Sequence, residues 1–173
     1  MKYSFLFAFI VLLVSCNQTK PRRPIHRNNN LSAHHYSIAL NKINQAREEK
    51  SIKHYIEQDS LSSYTISPKG FAYTILKKDV DSTKNPKSGA LVTYVKTIYN
   101  LRNELIYNSI QETIKIDKSR EIKGVEQGLK LMRENEEFKF IFSSFVAYGV
   151  VGDRGGIGPN TPIVVEIKLL KIK

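Results

Sequence analysis

The sequence predicts the α+β class: an antiparallel β-sheet wrapped around one helix and preceded by an N-terminal helical segment. Three observations lead there. Runs rich in β-branched and aromatic residues follow one another from residue 71 onward without regular helix alternation, unlike a parallel βαβ pattern. Inside them one run, EIKGVEQGLKLMRE, places Ile122, Val125, Leu129 and Met132 at helical spacing. At 173 residues, the chain is long enough for one domain with attachments and a real core.

The chain opens with MKYSFLFAFIVLLVSC, in which one lysine precedes an apolar run over residues 5–14 and then Ser15 and Cys16. This is the layout of an export signal, expected over residues 1–15. The run is shorter than the roughly 20 apolar residues a bilayer-spanning helix needs. Cys16 is the only cysteine and ends LVSC, which resembles the lipobox of bacterial lipoproteins. That resemblance implies a lipidated Cys16, a membrane partner through the lipid, and a cell-envelope location. Two or more acyl chains anchor a protein stably where one does so only marginally. Asn17 is not the aspartate that retains some lipoproteins at the inner membrane, so the expected site is the outer membrane, facing the periplasm.

Residues 16–30 form a tether that includes TKPRRPIHR and carries part of the formal +11 charge. A basic segment so placed either lies against anionic lipid, each charge contributing about 1 kcal/mol, or serves as a solvated spacer. Nucleic acid is excluded as a partner by the export signal and by charges that alternate in sign elsewhere.

A helical segment is expected over residues 31–60. Tyr36, Leu40 and Ile43 form one apolar face, while Ile52, Tyr55 and Ile56 form another that is out of register with it. The mismatch predicts a bend near Lys50 and Ser51. The domain proper is expected over 61–173. SPKG reads as a type I turn with Pro68 second and Gly70 fourth. Strands are then expected in FAYTIL, ALVTYVKTI, ELIY and ETIKI, the helix follows, and EFKFIFSSF and IVVEIKLLKI read as the closing strands.

Several chemistries lack carriers. His34 and His35 are adjacent, and neither His26 nor His54 stands at metal-ligand spacing from them, so no metal site is expected. A Gly-x-Ser-x-Gly elbow is missing, and a lipidated Cys16 leaves no thiol. No cofactor is expected. Glu136 and Glu137 point opposite ways along a strand and read as solvated. Gly124 and Gly128 read as a close-packing feature rather than a membrane motif.

The loop FVAYGVVGDRGGIGPNTP carries five of the nine glycines, yet no helix with Lys-Ser/Thr follows to complete a phosphate cradle. What remains is an apolar and aromatic set with members on successive strands: Tyr94, Ile106, Tyr107, Ile122, Tyr148, Ile157 and Val165. Periodicity alone reads it as core.

The run GVEQGLKLM, the Ala147-Tyr148-Gly149 loop with Gly152, Ile157-Gly158-Pro159 and the terminal strand together resemble the C-terminal half of FKBP-type peptidyl-prolyl isomerases. Tyr94 in VTYV falls at a family tyrosine. With the lipobox, PRRPI and HYIEQDSL, the whole chain resembles the gliding-motility-associated isomerase lipoproteins. The resemblance implies an FKBP-like fold acting on proline-containing polypeptides, with the loop as the rim of a proline pocket. In that pocket Tyr94, Ile122 and Tyr148 are the catalytic set. The Tyr148 hydroxyl and the Ile122 N–H would bind substrate carbonyls, and Tyr94, Ile122, Val125, Ile157 and Val165 would wall the ring. Ile106, Tyr107, Ala147 and Asp153 complete the lining.

Departures from the family pattern lie at Val125 and Val165, where the family has tryptophan and phenylalanine, at Ile106-Tyr107 and at Asp153. Large aromatics each bury about 150 to 250 Å², so the two valines predict a wider, flatter cavity and weak activity. The implied role is folding of exported or envelope proteins, including those of the gliding machinery. The alternative is a non-catalytic prolyl-peptide-binding chaperone module. By the same resemblance the N-terminal helix is either a dimerisation arm or packs back on the domain.

Overall fold

The computed structural model describes residues 31–80 and 84–173. The expected signal peptide, Cys16 and the tether lie outside the described residues. The chain divides into two compact units, Met1–Ser37 and Ile38–Lys173. Helix α1 runs over Leu31–Gln58. Then come β1 (Thr65–Ser67), β2 (Phe71–Lys77), β3 (Leu91–Tyr99), β4 (Leu105–Lys115), α2 (Lys123–Leu129), β5 (Glu137–Phe142), a 3₁₀ turn (Ser144–Val146) and β6 (Ile163–Ile172).

The strands form a single six-stranded antiparallel sheet in the order β1-β2-β5-β6-β3-β4. This is the predicted α+β architecture. β6 lies between β5 and β3, with Phe140 opposite Val165 on one side and Ile98 opposite Val165 on the other. That central place explains its near-continuous apolar run, because both faces of the strand are covered.

Helix α2 packs on one face. A Cβ at Gly124 would come within 2.6 Å of the Phe142 ring, and one at Gly128 within 2.9 Å of Phe140, so the two glycines let the helix rest directly on these rings. The rings themselves stack at 5.4 Å and 9°. Val125, Leu129 and Met132 are buried beside them in the main core.

The other face is covered by the C-terminal half of α1. Tyr55 is buried against Ala72, Ile141 and Val164, flanked by Ile52 and Ile56, and its hydroxyl donates to Asn103 Oδ1 at 2.8 Å. Tyr36, Leu40 and Ile43 are exposed. Since only one of the two faces engages the sheet, nothing requires the helix to turn between them. The predicted bend at Lys50-Ser51 is absent, and Ser51 donates to the Arg47 carbonyl at 3.0 Å within a continuous helix.

Other boundaries differ locally. The expected ELIY and ETIKI strands are one strand, β4, because the extra residue between them is absorbed where Lys96 pairs with Ile110 but Ile98 with Tyr107. Ser109 takes a left-handed φ of 46° there, as a β-bulge permits. Helix α2 stops at Leu129 and tightens into i→i+3 bonds, Leu131 to Gly128 at 2.9 Å and Met132 to Leu129 at 3.1 Å, which keep Met132 inside. The turn at Ser67 closes with Gly70 N–H donating to the Ser67 carbonyl at 3.3 Å, and the short β1 strand before it was not expected. Glu136, expected to be solvated, is buried at 3% exposure because it accepts the Arg133 N–H at 2.8 Å, while Glu137 pairs with Lys168 at 2.9 Å.

Candidate functional site

Strand β3 has a strict alternation that buries Val92, Tyr94, Lys96 and Ile98 on the core face. Tyr94 is therefore carried inward by the pleat, and across the ladder it stands opposite Glu112 of β4. Ile122 is the N-cap residue of α2, and Val125 lies one turn further on, fully buried. Tyr148 follows the 3₁₀ turn, and Ile157 and Val165 arrive from the glycine-rich loop and β6. Tyr94, Val125, Ile157 and Val165 belong to one core cluster, against which Ile106, Tyr107, Ile122, Ala147 and Tyr148 pack half-buried. The structure thus brings nine of the ten sequence-nominated pocket residues into one cluster.

Asp153, the tenth, is held at the rim. Its Oδ2 accepts the Tyr107 hydroxyl at 2.5 Å, and its Oδ1 accepts the N–H groups of Gly155 and Ile157 at 2.7 and 2.9 Å. The Tyr107 oxygen in turn accepts the Gly156 N–H at 2.8 Å. Burial alone would raise the Asp153 carboxyl, but these donors outweigh it and hold the group below the usual carboxylate range. The glycines make this lock possible. A Cβ at Gly155 would lie 2.7 Å from the Tyr107 hydroxyl, and at Gly152, where φ is 73°, one would lie 2.3 Å from the Ile157 carbonyl.

The floor differs from the hollow that two valines predict. Tyr94, Val125 and Val165 have no solvent exposure and Ile157 has 2%, so no water-sized probe reaches the first three. In place of a wide, flat cavity, the floor is closed by an ionic cluster. Lys96 Nζ lies 3.3 Å from Glu112 Oε1 and also pairs with Glu121 Oε2, with side chains 6% exposed at Lys96 and 5% at Glu121. The Tyr94 hydroxyl is within donating distance of Glu112 Oε2, at 2.8 Å, and of Glu121 Oε2. Glu121 Oε1 accepts the Ile122 N–H at 2.8 Å.

Burial and the two carboxylates push the Tyr94 phenol far above its ordinary value. Burial opposes ionisation of Glu121, but hydrogen bonding with Glu112, Lys96 and Tyr94 outweighs it and depresses its pKa. The Tyr148 hydroxyl is pushed up to about 12 by burial and then by the negative charges of Glu121, Asp153 and Glu112, which keeps it a proton donor. Among the described residues it donates to no acceptor, which leaves it available to an incoming carbonyl.

Lys96, Glu112 and Glu121 were missed from sequence, where only the alternation in sign of the charges was noted. For Lys96 alone the signal was present: two residues on from an inward Tyr94 it must also face inward, and a buried ammonium requires counter-ions, which the sequence does not identify. Two cavities lie elsewhere, one of about 380 Å³ lined by Tyr55, Asp59, Arg102 and Lys139 among others, and one of about 520 Å³ lined by residues between Leu61 and Leu76. Among the described residues no His, Cys, Asp and Glu group has the arrangement to hold a metal, and no helix is long and apolar enough to cross a membrane.

The antiparallel sheet wrapped over a short helix, with this loop at one end, has a counterpart among solved structures. A crystal structure of a peptidyl-prolyl cis-trans isomerase from Pseudomonas syringae superposes with a TM-score of 0.61 at 18% identity, covering 75% of this chain and 95% of that one. The family model for FKBP-type peptidyl-prolyl cis-trans isomerases matches residues 82–170, half of the chain, and the protein belongs to that family.

Two of the curated relatives carry the family's name, one as a probable isomerase and one as inactive. A probable FKBP-type isomerase, FkpA, of Neisseria meningitidis is 28% identical over 76% of this chain and 47% of its own length. The Trypanosoma cruzi macrophage infectivity potentiator is 34% identical over 42% of this chain and 39% of its own. A mouse protein described as an inactive peptidyl-prolyl cis-trans isomerase, FKBP6, is 29% identical over 59% of this chain and 32% of its own. The chain thus spans between a third and a half of the length of these relatives.

Proposed function

We propose that the protein is a peptidyl-prolyl cis-trans isomerase acting on proline-containing polypeptides. In this reading it works from a lipid anchor at Cys16 in a bacterial cell envelope, assisting exported proteins that include those of a gliding apparatus. Family membership supports the reaction, and the lipobox-like LVSC, the basic tether and HYIEQDSL support the setting. The observation that carries the proposal is that Tyr148, Ile122 and Ile157 belong to one packed cluster, with the Tyr148 hydroxyl protonated and, among the described residues, donating to no acceptor.

The chemistry requires no nucleophile. Rotation about the X-Pro bond faces a barrier of about 18–20 kcal/mol that arises from amide resonance, and solvation of the carbonyl favours the resonant planar form. A site that exchanges water for fixed donors and an apolar wall favours the twisted, less polar transition state. Here Tyr148 donates to a substrate carbonyl, the Ile122 N–H is the second donor, and Ile157 with Ala147 contacts the ring.

A protease-coupled assay on an Ala-Leu-Pro-Phe peptide tests the reaction: acceleration above background at micromolar protein is expected. Absence of acceleration combined with assisted refolding of a denatured client would instead identify a non-catalytic prolyl-peptide-binding module. Fractionation of cells carrying Cys16→Ser tests the anchor, which predicts loss from the membrane fraction.

A further inference from the structure

Three donors of its own chain converge on the Glu121 carboxylate. Oε1 takes the Ile122 N–H at 2.8 Å, and Oε2 takes the Lys96 ammonium and the Tyr94 hydroxyl. A carboxylate accepts roughly twice as strongly as a neutral amide carbonyl, so a substrate carbonyl does not displace Oε1 by hydrogen bonding alone. Swinging Oε1 away also disturbs Oε2, which is the nearer of the two carboxylate partners of a nearly inaccessible ammonium, the other being Glu112 Oε1 at 3.3 Å, and weakening a buried ion pair is costly. The ion pair therefore acts as a latch on the Ile122 donor.

We propose that Glu121 is a positioning residue that occupies the substrate's place at the Ile122 N–H, with Lys96 as its latch, so that the site is held shut from within and opens only against this contact. The inference rests on Ile122 being a substrate donor, as the proposed function requires. Occupancy by an internal acceptor raises the peptide concentration needed to fill the site, without removing any group that acts on the bound proline.

The test compares the wild-type protein, Glu121→Ala and the double variant Lys96→Met/Glu121→Leu. The double variant removes the buried ammonium together with its nearer counter-ion and so guards against misfolding of the single variant. Each ¹⁵N-labelled protein is titrated with the Ala-Leu-Pro-Phe peptide while the Ile122 amide proton is followed, and KM and kcat are measured separately. The expected result is an upfield move of that proton in both variants, with peptide Kd and KM lowered about tenfold, equivalent to about 1.4 kcal/mol, and kcat no lower. Glu121→Gln, whose amide oxygen can still accept from Ile122, is expected to fall between the wild-type protein and Glu121→Ala. Peptide binding no tighter in either folded variant, or an unmoved Ile122 proton, overturns the proposal. Acceleration by none of the proteins overturns the isomerase reading alone, because peptide binding still decides the role of Glu121.

Discussion

Glu48 of helix α1 accepts both the N–H and the hydroxyl of Ser144, at 2.8 and 2.6 Å, in a buried contact spanning 96 residues of sequence. Ser144 opens the 3₁₀ turn, its carbonyl accepts the N–H groups of Ala147 and Gly149 at 3.0 and 2.8 Å, and Tyr148 lies between those two residues. The second half of α1 is thereby part of the support for the loop that carries Tyr148. Hydrogen bonds to a charged group contribute about 1.5–3 kcal/mol. Glu48→Ala is expected to destabilise the domain by about 2–4 kcal/mol in urea unfolding, since two bonds and a buried donor are affected. A change below about 0.5 kcal/mol would show that the helix merely lies on the sheet.

The two α2 glycines give a prediction in which opposing effects must be weighed. Replacing glycine by alanine in a helix interior gains about 0.8–1 kcal/mol of propensity. At Gly128 the new Cβ would meet the Phe140 ring at 2.9 Å, in a core where overpacking costs about 1–3 kcal/mol. Phe140 is fully buried and stacked on Phe142, so it has little room to retreat. Gly128→Ala is therefore expected to lower stability by up to about 2 kcal/mol net, read as a drop in urea midpoint. An unchanged or raised midpoint would mean that the helix can lift away from the rings.

Tyr107→Phe removes one oxygen that serves two partners, Asp153 and the Gly156 N–H. The expected cost to stability is about 1–3 kcal/mol. Faster hydrogen exchange is expected at Gly155, Gly156 and Ile157 and not in β5, because the lock holds the rim and not the sheet. Under the proposed function KM for a proline peptide rises while Tyr148 stays in place. Equal exchange rates along the whole loop would remove Tyr107 as the clasp.

The sheet was legible because its signals are local. IVVEIKLLKI sits between Pro162 and the end of the sequence given, with β-branched residues throughout, and β6 matches it residue for residue. SPKG specifies its own turn. The site was legible only in its apolar part, since Tyr148, Ile157 and the glycines between them carry a recognisable loop. Its ionic part depends on the pairing of β3 with β4, which sets Glu112 opposite Tyr94, and on the chain after β4, which returns Glu121 to Lys96. No spacing in the sequence announces that convergence. The Glu48–Ser144 contact was illegible for the same reason, because one carboxylate on a helix has no signature of the serine it will meet.

The buried cluster predicts a pH dependence with a definite sign. Lys96, Glu112 and the Tyr94 hydroxyl surround Glu121, and the folded pKa of Glu121 lies below its ordinary value of 4.5. A carboxyl depressed by folding releases its proton more readily in the native state, so its contribution is fully present above the unfolded value and is lost as pH falls through the folded one. The wild-type protein should therefore exceed Glu121→Gln in melting temperature by its largest margin near neutral pH, where the ion pair with Lys96 is intact. Below about pH 4.5 that margin should narrow, because the unfolded carboxylate takes up protons first and the wild-type side chain then approaches the neutral state that glutamine mimics. Melting curves from pH 3 to 7 check this. Parallel profiles for the two proteins would mean that Glu121 does not ionise differently in the fold, and the latch on Ile122 would lose its charge.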